Sequence, residues 1–315
     1  PLPPSGTPLP PPPAAHSGMP AAQLPAVLNA RLYPSNEAAA AGGVVSGTVT
    51  NLMTGKGRFQ VNLVTDPWST GLTPNSERSV VVDLDDRRWQ PWVWRESASP
   101  RLAHPVDQSL YELHVRDFSI SDEAVPEAHR GTYLAFGDAG HGRAHLAALA
   151  DAGLTTVELL PTFDFSTVDE DASTWVTPTG LGDLPPDSQV QQGIIMGSTP
   201  ANPFNWGYDP YHWMTPEGSY STEGNAFGGR RSEQFRTMVG NLHALGLRVV
   251  LDQVFNHTTA AGQHPHSVLD RIVPGYYHRL DERGSVFTST CCANVATERP
   301  MAERLMVDAC VHWVR

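Results

Sequence analysis

The sequence predicts an α/β fold with parallel strands, and three observations lead to that prediction. The run 248–251 is β-branched and aliphatic, as in a buried parallel strand, and the polar residues Asp252, Asn256 and His257 follow it. Strand-like and helix-like patterns alternate along the second half of the chain. At 315 residues, 40% of them hydrophobic, the chain is long enough for a substantial core and for more than one domain.

Composition divides the chain into three segments. Residues 1–43 are rich in Pro, Ala and Gly and are predicted to be disordered, because they carry little large apolar surface. Residues 44–100 contain short β-rich runs separated by turn-forming sequences, and one of these runs is 79–86 (SVVVDLDD). This pattern predicts a partial antiparallel β-sandwich. Residues 101–315 carry the β–α alternation.

The third segment is predicted to contain three successive β–α units. The predicted strands are 109–115, 154–160 and the run that begins at 248, and the predicted helices are 143–152, 233–245 and 297–315. Ser232 and Thr297 are candidate N-caps of the last two helices, and Gly246 is a candidate helix stop. Such alternation implies a parallel sheet with right-handed crossovers.

The connection 161–231 is unusually long for a β–α unit. Within it, residues 205–213 (NWGYDPYHW) have an aromatic density that a disordered linker would not carry. Flat aromatic faces with adjacent hydrogen-bonding groups suit a sugar, so this loop predicts a carbohydrate site. The acidic pair Asp169 and Glu170 of the same connection is expected to be solvated.

Charge and cysteine content limit the possible partners. A net charge of −12 argues against a nucleic-acid partner, because phosphate backbones attract basic surfaces. No run approaches the roughly 20 apolar residues of a membrane span, and no secretory signal pattern is visible, so no membrane partner is expected and both secretion and a plastid remain open. The spacing of Cys291, Cys292 and Cys310 indicates neither a disulfide framework nor a metal site, and Cys310 is expected to face the core. The oligomeric state also stays open.

Several strings resemble the α-amylase superfamily of glycoside hydrolases, and within it the pullulanases and limit dextrinases. The string DQVFNH (252–257) resembles the first signature region of the superfamily, on the third barrel strand. The subgroup is indicated by YELHVRDFS (111–119), NWGYDP (205–210), PEGSYST (216–222), VLDRIVPGYYHR (268–279), STCCAN (289–294) and the run 64–86. The resemblance covers about residues 60–315. It implies the first three β–α units of a (β/α)8 TIM barrel, preceded by part of a starch-binding-type β-sandwich.

The resemblance also implies roles for individual residues. Tyr208 would stack under the glucose next to the scissile bond, His257 would hydrogen-bond hydroxyls of that glucose, and Trp206 is a further candidate for substrate binding. The supporting residues would be Asp252, Asn256 and Asp209. Asn256 is also a possible calcium ligand, and no cofactor is required. Gln253 departs from the family pattern, in which an aliphatic residue is commoner at this place.

The implied activity is hydrolysis of α-1,6-glucosidic branch linkages in pullulan, limit dextrins, amylopectin or glycogen, by a retaining double displacement. In the superfamily the nucleophile and the acid follow the fourth and fifth strands, and no Arg-x-Asp string of the expected type occurs here. Both groups are therefore expected beyond residue 315, and the 315-residue chain alone is expected to be inactive. The alternatives are a truncated, non-catalytic α-glucan-binding protein and an isoamylase or branching-type enzyme.

Overall fold

A computed structural model describes residues 50–53, 59–288 and 291–314, so the predicted disorder of residues 1–43 lies outside the described residues. The strands are β1 (Thr50–Met53), β2 (Phe59–Asn62), β3 (Leu110–Leu113), β4 (Thr156–Leu159), β5 (Phe163–Phe165), β6 (Pro210–Pro216), β7 (Arg248–Leu251), β8 (His257–Thr258) and β9 (Ala293–Asn294). The α-helices are α1 (Trp92–Glu96), α2 (His141–Asp151), α3 (Val190–Ser198), α4 (Gly229–Ala244), α5 (Leu269–Ile272) and α6 (Pro300–Val314). Short 3-10 helices lie at Pro74–Ser76, Arg87–Trp89, Pro105–Asp107, Glu127–His129, Tyr133–Gly137, Ala172–Thr174 and Thr199–Ala201. Among the described helices, none combines the length and the apolar character needed to cross a bilayer.

A three-stranded parallel sheet forms the centre of the third segment. Strand β4 lies between β3 and β7, in a register that aligns Leu110, Thr156 and Arg248. Helix α2 connects β3 to β4, and helix α4 lies between β4 and β7. The predicted α/β alternation is therefore confirmed, and these strands and helices lie where the sequence patterns place them.

The two predicted N-caps are wrong. Helix α4 begins at Gly229, so Ser232 lies inside the helix and is buried, and the N-cap position belongs to Gly228 with a φ of +54°. Helix α6 begins at Pro300, beyond Thr297. Proline suits the first turn of a helix, because the N–H that it lacks has no partner within the helix at that position.

The main core lies between the parallel sheet and the helices that cover it. It contains the predicted apolar stripe of α4, with Phe235, Met238, Val239 and Leu242 all buried. The prediction for the last helix is partly wrong, because Cys310 is exposed. Burying side chains of this size contributes roughly 1.5–3 kcal/mol each, so this layer fixes the positions of the strand ends.

The β-rich segment matches its prediction only in part. Strands β1 and β2 form an antiparallel hairpin. The run 79–86, however, is not a strand, and the structure records an isolated bridge between Ser79 and Leu72 in its place. The partial β-sandwich over residues 44–100 therefore stays a prediction.

The long connection 161–231 is folded around the buried side chain of Arg231. Strands β5 and β6 pair in antiparallel orientation within it. The guanidinium of Arg231 is fully buried and donates to Asp164 at 3.3 Å and to Glu170 at 2.9 Å. The expectation that Glu170 is solvated is wrong, because its side chain is buried against Arg231. A buried guanidinium needs a carboxylate beside it.

Candidate functional site

The loop 205–208 lies over the carboxyl ends of the parallel strands. His114, directly after β3, donates from Nε2 to the carbonyl oxygen of Asn205 at 2.7 Å. The hydroxyl of Tyr208 donates to Oδ2 of Asp252, the residue directly after β7, at 2.6 Å. Two strand ends therefore converge on one loop, at the edge where parallel α/β folds gather their functional groups.

Glycine 207 brings this loop close to the end of the middle strand. A Cβ atom at Gly207 would lie 2.8 Å from Cβ of Pro161 and 2.9 Å from the Pro161 carbonyl oxygen, and Pro161 follows β4. The φ of Gly207 is +87°, a conformation that L-residues rarely adopt. Both the close approach and the backbone conformation therefore require glycine.

The protonation state of His114 follows from its hydrogen bonds. The backbone N–H of Asp117 donates to Nδ1 at 3.2 Å, so Nδ1 carries the lone pair and Nε2 carries the proton that Asn205 accepts. Burial lowers the pKa of His114, which favours this neutral form. Nothing in the local sequence pattern shows that His114 holds the aromatic loop.

Asp209 stabilises the loop from within. Its Oδ2 accepts hydrogen bonds from the Thr167 hydroxyl at 2.6 Å and from Nδ2 of Asn205 at 2.8 Å. Oδ1 of Asn205 in turn accepts the N–H of Gly207 at 2.7 Å. Asp209 is thus hydrogen-bonded within the loop, and its supporting role for substrate binding stays a prediction.

Two aromatic side chains of the loop are open to solvent. Trp206 is 60% exposed and Tyr208 is 37% exposed. Burial and the hydrogen bond to Asp252 both raise the pKa of Tyr208, so its hydroxyl remains a proton donor to the carboxylate. Rings that are partly open to solvent can stack against the apolar face of a sugar.

His257 lies against the same loop. It belongs to β8, which pairs with β9 so that His257 is opposite Asn294. Its Nε2 donates to the carbonyl oxygen of Tyr208 at 2.8 Å, while its Nδ1 is buried and has no hydrogen-bond partner among the residues that the structure describes. The structure therefore brings Tyr208, Asp252 and His257 together from separate turns.

No family model matches the chain. Chloroplastic pullulanase 1 of Arabidopsis thaliana is 44% identical over an alignment of 255 residues, which covers 79% of this chain and 26% of that protein. The crystal structure of apo pullulanase from Klebsiella pneumoniae matches with a TM-score of 0.78 and 32% sequence identity, over 85% of this chain and 34% of that chain. The chain belongs to the pullulanase family of glycoside hydrolases.

The chain spans about a quarter of the length of the curated pullulanases that it matches, 26% and 27% for two of them. A second crystal structure, the maltotriose complex of PulA from Klebsiella pneumoniae, matches with a TM-score of 0.73 and 32% identity, over 85% of this chain and 34% of that chain.

In the described part of this pullulanase-family chain, the predicted calcium position at Asn256 can be compared with two groups of possible metal ligands. Asn256 is exposed, and its carbonyl oxygen accepts the N–H of Val295 at 3.0 Å. The ligand atoms clustered next to it belong to His257 and two cysteines, whereas calcium takes six to eight oxygens. The carboxylate cluster formed by Asp164, Glu170 and Glu217 surrounds Arg231 instead. Neither group of side chains fits calcium, and calcium at Asn256 stays a prediction.

The cysteines differ from what their spacing indicated. Cys291 and Cys292 form a disulfide with each other, and Cys310 is a free, exposed thiol. The bonded pair lies beside His257, with one ligand atom of each of the three residues within 4.8 Å of the others. Sequence spacing could not reveal this group, because its histidine lies on β8, far from the two cysteines along the chain.

Proposed function

We propose that this chain contributes the sugar-binding end of an enzyme that hydrolyses α-1,6-glucosidic branch linkages, in pullulan, limit dextrins, amylopectin or glycogen. The observation that carries the proposal is the convergence of Tyr208, Asp252 and His257 at the carboxyl end of the parallel strands. Membership of the pullulanase family and the maltotriose complex of one relative support a branched α-glucan as the substrate.

The three parallel strands are proposed to be the first three of a (β/α)8 barrel. Their parallel order and intervening helices support this, as does the helix α6 after β7. Within the described part of the chain, β7 pairs only with β4. Beside β7 lies a cavity of about 500 Å³, lined by Val249, Leu251, Phe235 and Trp313 among others, where a fourth strand would pack.

Each site residue has a proposed role. The Tyr208 ring stacks under the glucose next to the scissile bond, and the bond to Asp252 holds its hydroxyl end in place. Nδ1 of His257 is the ring nitrogen without a partner among the described residues, and it accepts a hydrogen bond from a glucose hydroxyl once a local side-chain movement uncovers it. Trp206 offers a second exposed ring for the glucan chain.

Catalysis is proposed to follow the retaining route. That route needs two carboxyl groups about 5 Å apart, one to attack the anomeric carbon and one to protonate the leaving oxygen. Asp252, the carboxylate at the end of β7, already accepts the Tyr208 hydroxyl. The nucleophile and the acid are therefore proposed to come from outside residues 1–315, and residues 1–315 alone are proposed to be inactive.

Steady-state hydrolysis of pullulan by the whole protein tests the proposal. Tyr208→Ala and His257→Gln should each lower kcat/KM by at least about tenfold, a loss of about 1.4 kcal/mol of transition-state stabilisation. Trp92→Ala is the matched control, because Trp92 is a 70% exposed aromatic residue on α1. Cleavage of glycogen but not of pullulan would instead indicate an isoamylase, and glucan binding without any cleavage would indicate a binding protein.

A further inference from the structure

Three side chains with soft donor atoms meet beside the proposed sugar site. Cys291 and Cys292 directly precede β9, and β9 pairs with β8, which carries His257. One ring nitrogen of His257 and the two Sγ atoms all lie within 4.8 Å of one another. The three ligands come from two segments that the β8–β9 pairing brings together.

The hydrogen bond of the histidine leaves its other ring nitrogen for a metal. Its Nε2 donates to the carbonyl oxygen of Tyr208 at 2.8 Å, so a metal would bind through the lone pair of Nδ1. Nδ1 is buried and has no partner among the described residues, and His257 as a whole is 7% exposed. Metal-binding histidines commonly donate their second ring nitrogen to a backbone carbonyl, which fixes the tautomer and increases the basicity of the other nitrogen.

The sulfur atoms become strong ligands only after reduction. A dithiol reductant transfers two electrons and two protons to the Cys291–Cys292 disulfide, which gives two thiols and the oxidised, cyclic reductant. A divalent cation then displaces the two thiol protons and binds two thiolates. Cys291 is exposed and Cys292 is half-buried, so both the reductant and the ion have access.

We propose that the reduced Cys291–Cys292 pair and Nδ1 of His257 form a binding site for one soft cation, of the class of Zn²⁺ or Cd²⁺. Two thiolates and one imidazole favour these ions over Mg²⁺ and Ca²⁺, which prefer oxygen ligands. Three protein ligands leave the fourth tetrahedral position to water. Because Nδ1 of His257 is also the proposed acceptor for a glucose hydroxyl, the bound cation excludes the glucan, and this consequence rests on the proposed function.

Titration of the whole protein with Cd²⁺ tests the site directly. The protein is first reduced with dithiothreitol and freed of the reductant under nitrogen, and the thiolate-to-metal absorption band is then followed. Reduced protein should bind one Cd²⁺ per chain at this site, and oxidised protein should not. Cys291→Ser, Cys292→Ser and His257→Gln should each weaken binding by at least about tenfold. Cys310→Ser is the matched control and should leave the titration unchanged, because Cys310 is a free thiol outside the group.

The possible outcomes separate this inference from the proposed function. Equal Cd²⁺ binding by oxidised and reduced protein, or loss of the absorption band in Cys310→Ser, overturns the site. A variant counts only if its unfolding transition matches that of the parent, so misfolding cannot imitate loss of a ligand. Maltotriose should raise the apparent Kd for Cd²⁺, and Cd²⁺ binding that maltotriose leaves unchanged overturns the shared use of His257. Normal pullulan hydrolysis by a protein that binds no Cd²⁺ refutes the metal site alone.

Discussion

The substitution Gly207→Ala should displace the aromatic loop from the strand ends. The added Cβ would lie 2.8 Å from Cβ of Pro161 and 2.9 Å from the Pro161 carbonyl oxygen. Such overpacking costs about 1–3 kcal/mol. The left-handed conformation, with φ of +87°, adds about 1–2 kcal/mol for an L-residue. The total of about 2–5 kcal/mol is a large part of the stability of a typical domain.

Gly180→Ala separates the two contributions. Gly180 has a φ of +73° but no atom within 4 Å of its Cβ position, so it shares the backbone strain without the collision. Urea unfolding of the whole protein should show Gly207→Ala less stable than Gly180→Ala by about 1–3 kcal/mol. In Gly207→Ala the loop can relieve part of the strain by moving outward. If that movement relieves about 1.4 kcal/mol, the same free energy is lost again when maltotriose binds, so maltotriose should bind about tenfold more weakly. Equal unfolding midpoints for the two variants, with unchanged maltotriose affinity, would refute the assigned role of Gly207.

Three further predictions concern the site and its neighbours. Tyr208→Phe should weaken maltotriose binding by about 1–2 kcal/mol through loss of the bond to Asp252, and Tyr208→Ala should weaken it further; equal losses in calorimetric titrations would mean that the ring contributes nothing. The pKa of His114 is lowered from 6.5 in the folded protein, mainly by burial. As the pH falls below 6.5, the unfolded chain therefore binds a proton before the folded chain does. The free energy of unfolding then drops by up to about 1.4 kcal/mol per pH unit. His114→Asn should flatten this pH dependence in urea unfolding, whereas substitution of the exposed His104 should keep it. Gln253→Leu should raise the free energy of unfolding by about 1–2 kcal/mol, because both amide atoms of this partly buried side chain have no partner among the described residues; a lower value would show that the amide is bonded.

Local patterns predicted the elements because each pattern reports burial along a single helix or strand. The stripe from Phe235 to Leu242 marked the buried face of α4, and the aliphatic run before Asp252 marked β7, whose residues are half-buried in the described chain. The predictions that failed concern residues with distant partners. Ser232 became an interior residue because the helix extends upstream of it, and Glu170 is buried because Arg231 needs its charge.

The candidate site was predictable as a set of residues but not as an arrangement. Gln253 could be recognised as unusual from the sequence, while only the structure shows that its amide atoms lack partners in the described part of the chain. His114 carried no signal of its function, because its partner Asn205 lies 91 residues further along the chain. Cys291 and Cys292 gave no recognisable ligand spacing, because the third residue of the group, His257, lies on β8 and far from them along the chain.

The sequence by itself determined the alternation of strands and helices, the aromatic loop and the family, since all three depend on residue type and order along short stretches. Tertiary structure alone decided which atoms meet. It placed the Tyr208 hydroxyl on Asp252, directed Nε2 of His257 to the carbonyl of Tyr208, and brought the cysteine pair to the ring of His257. The physical reason is that hydrogen bonds and metal ligation depend on positions within a few ångströms, and positions of that accuracy arise only when distant segments pack together.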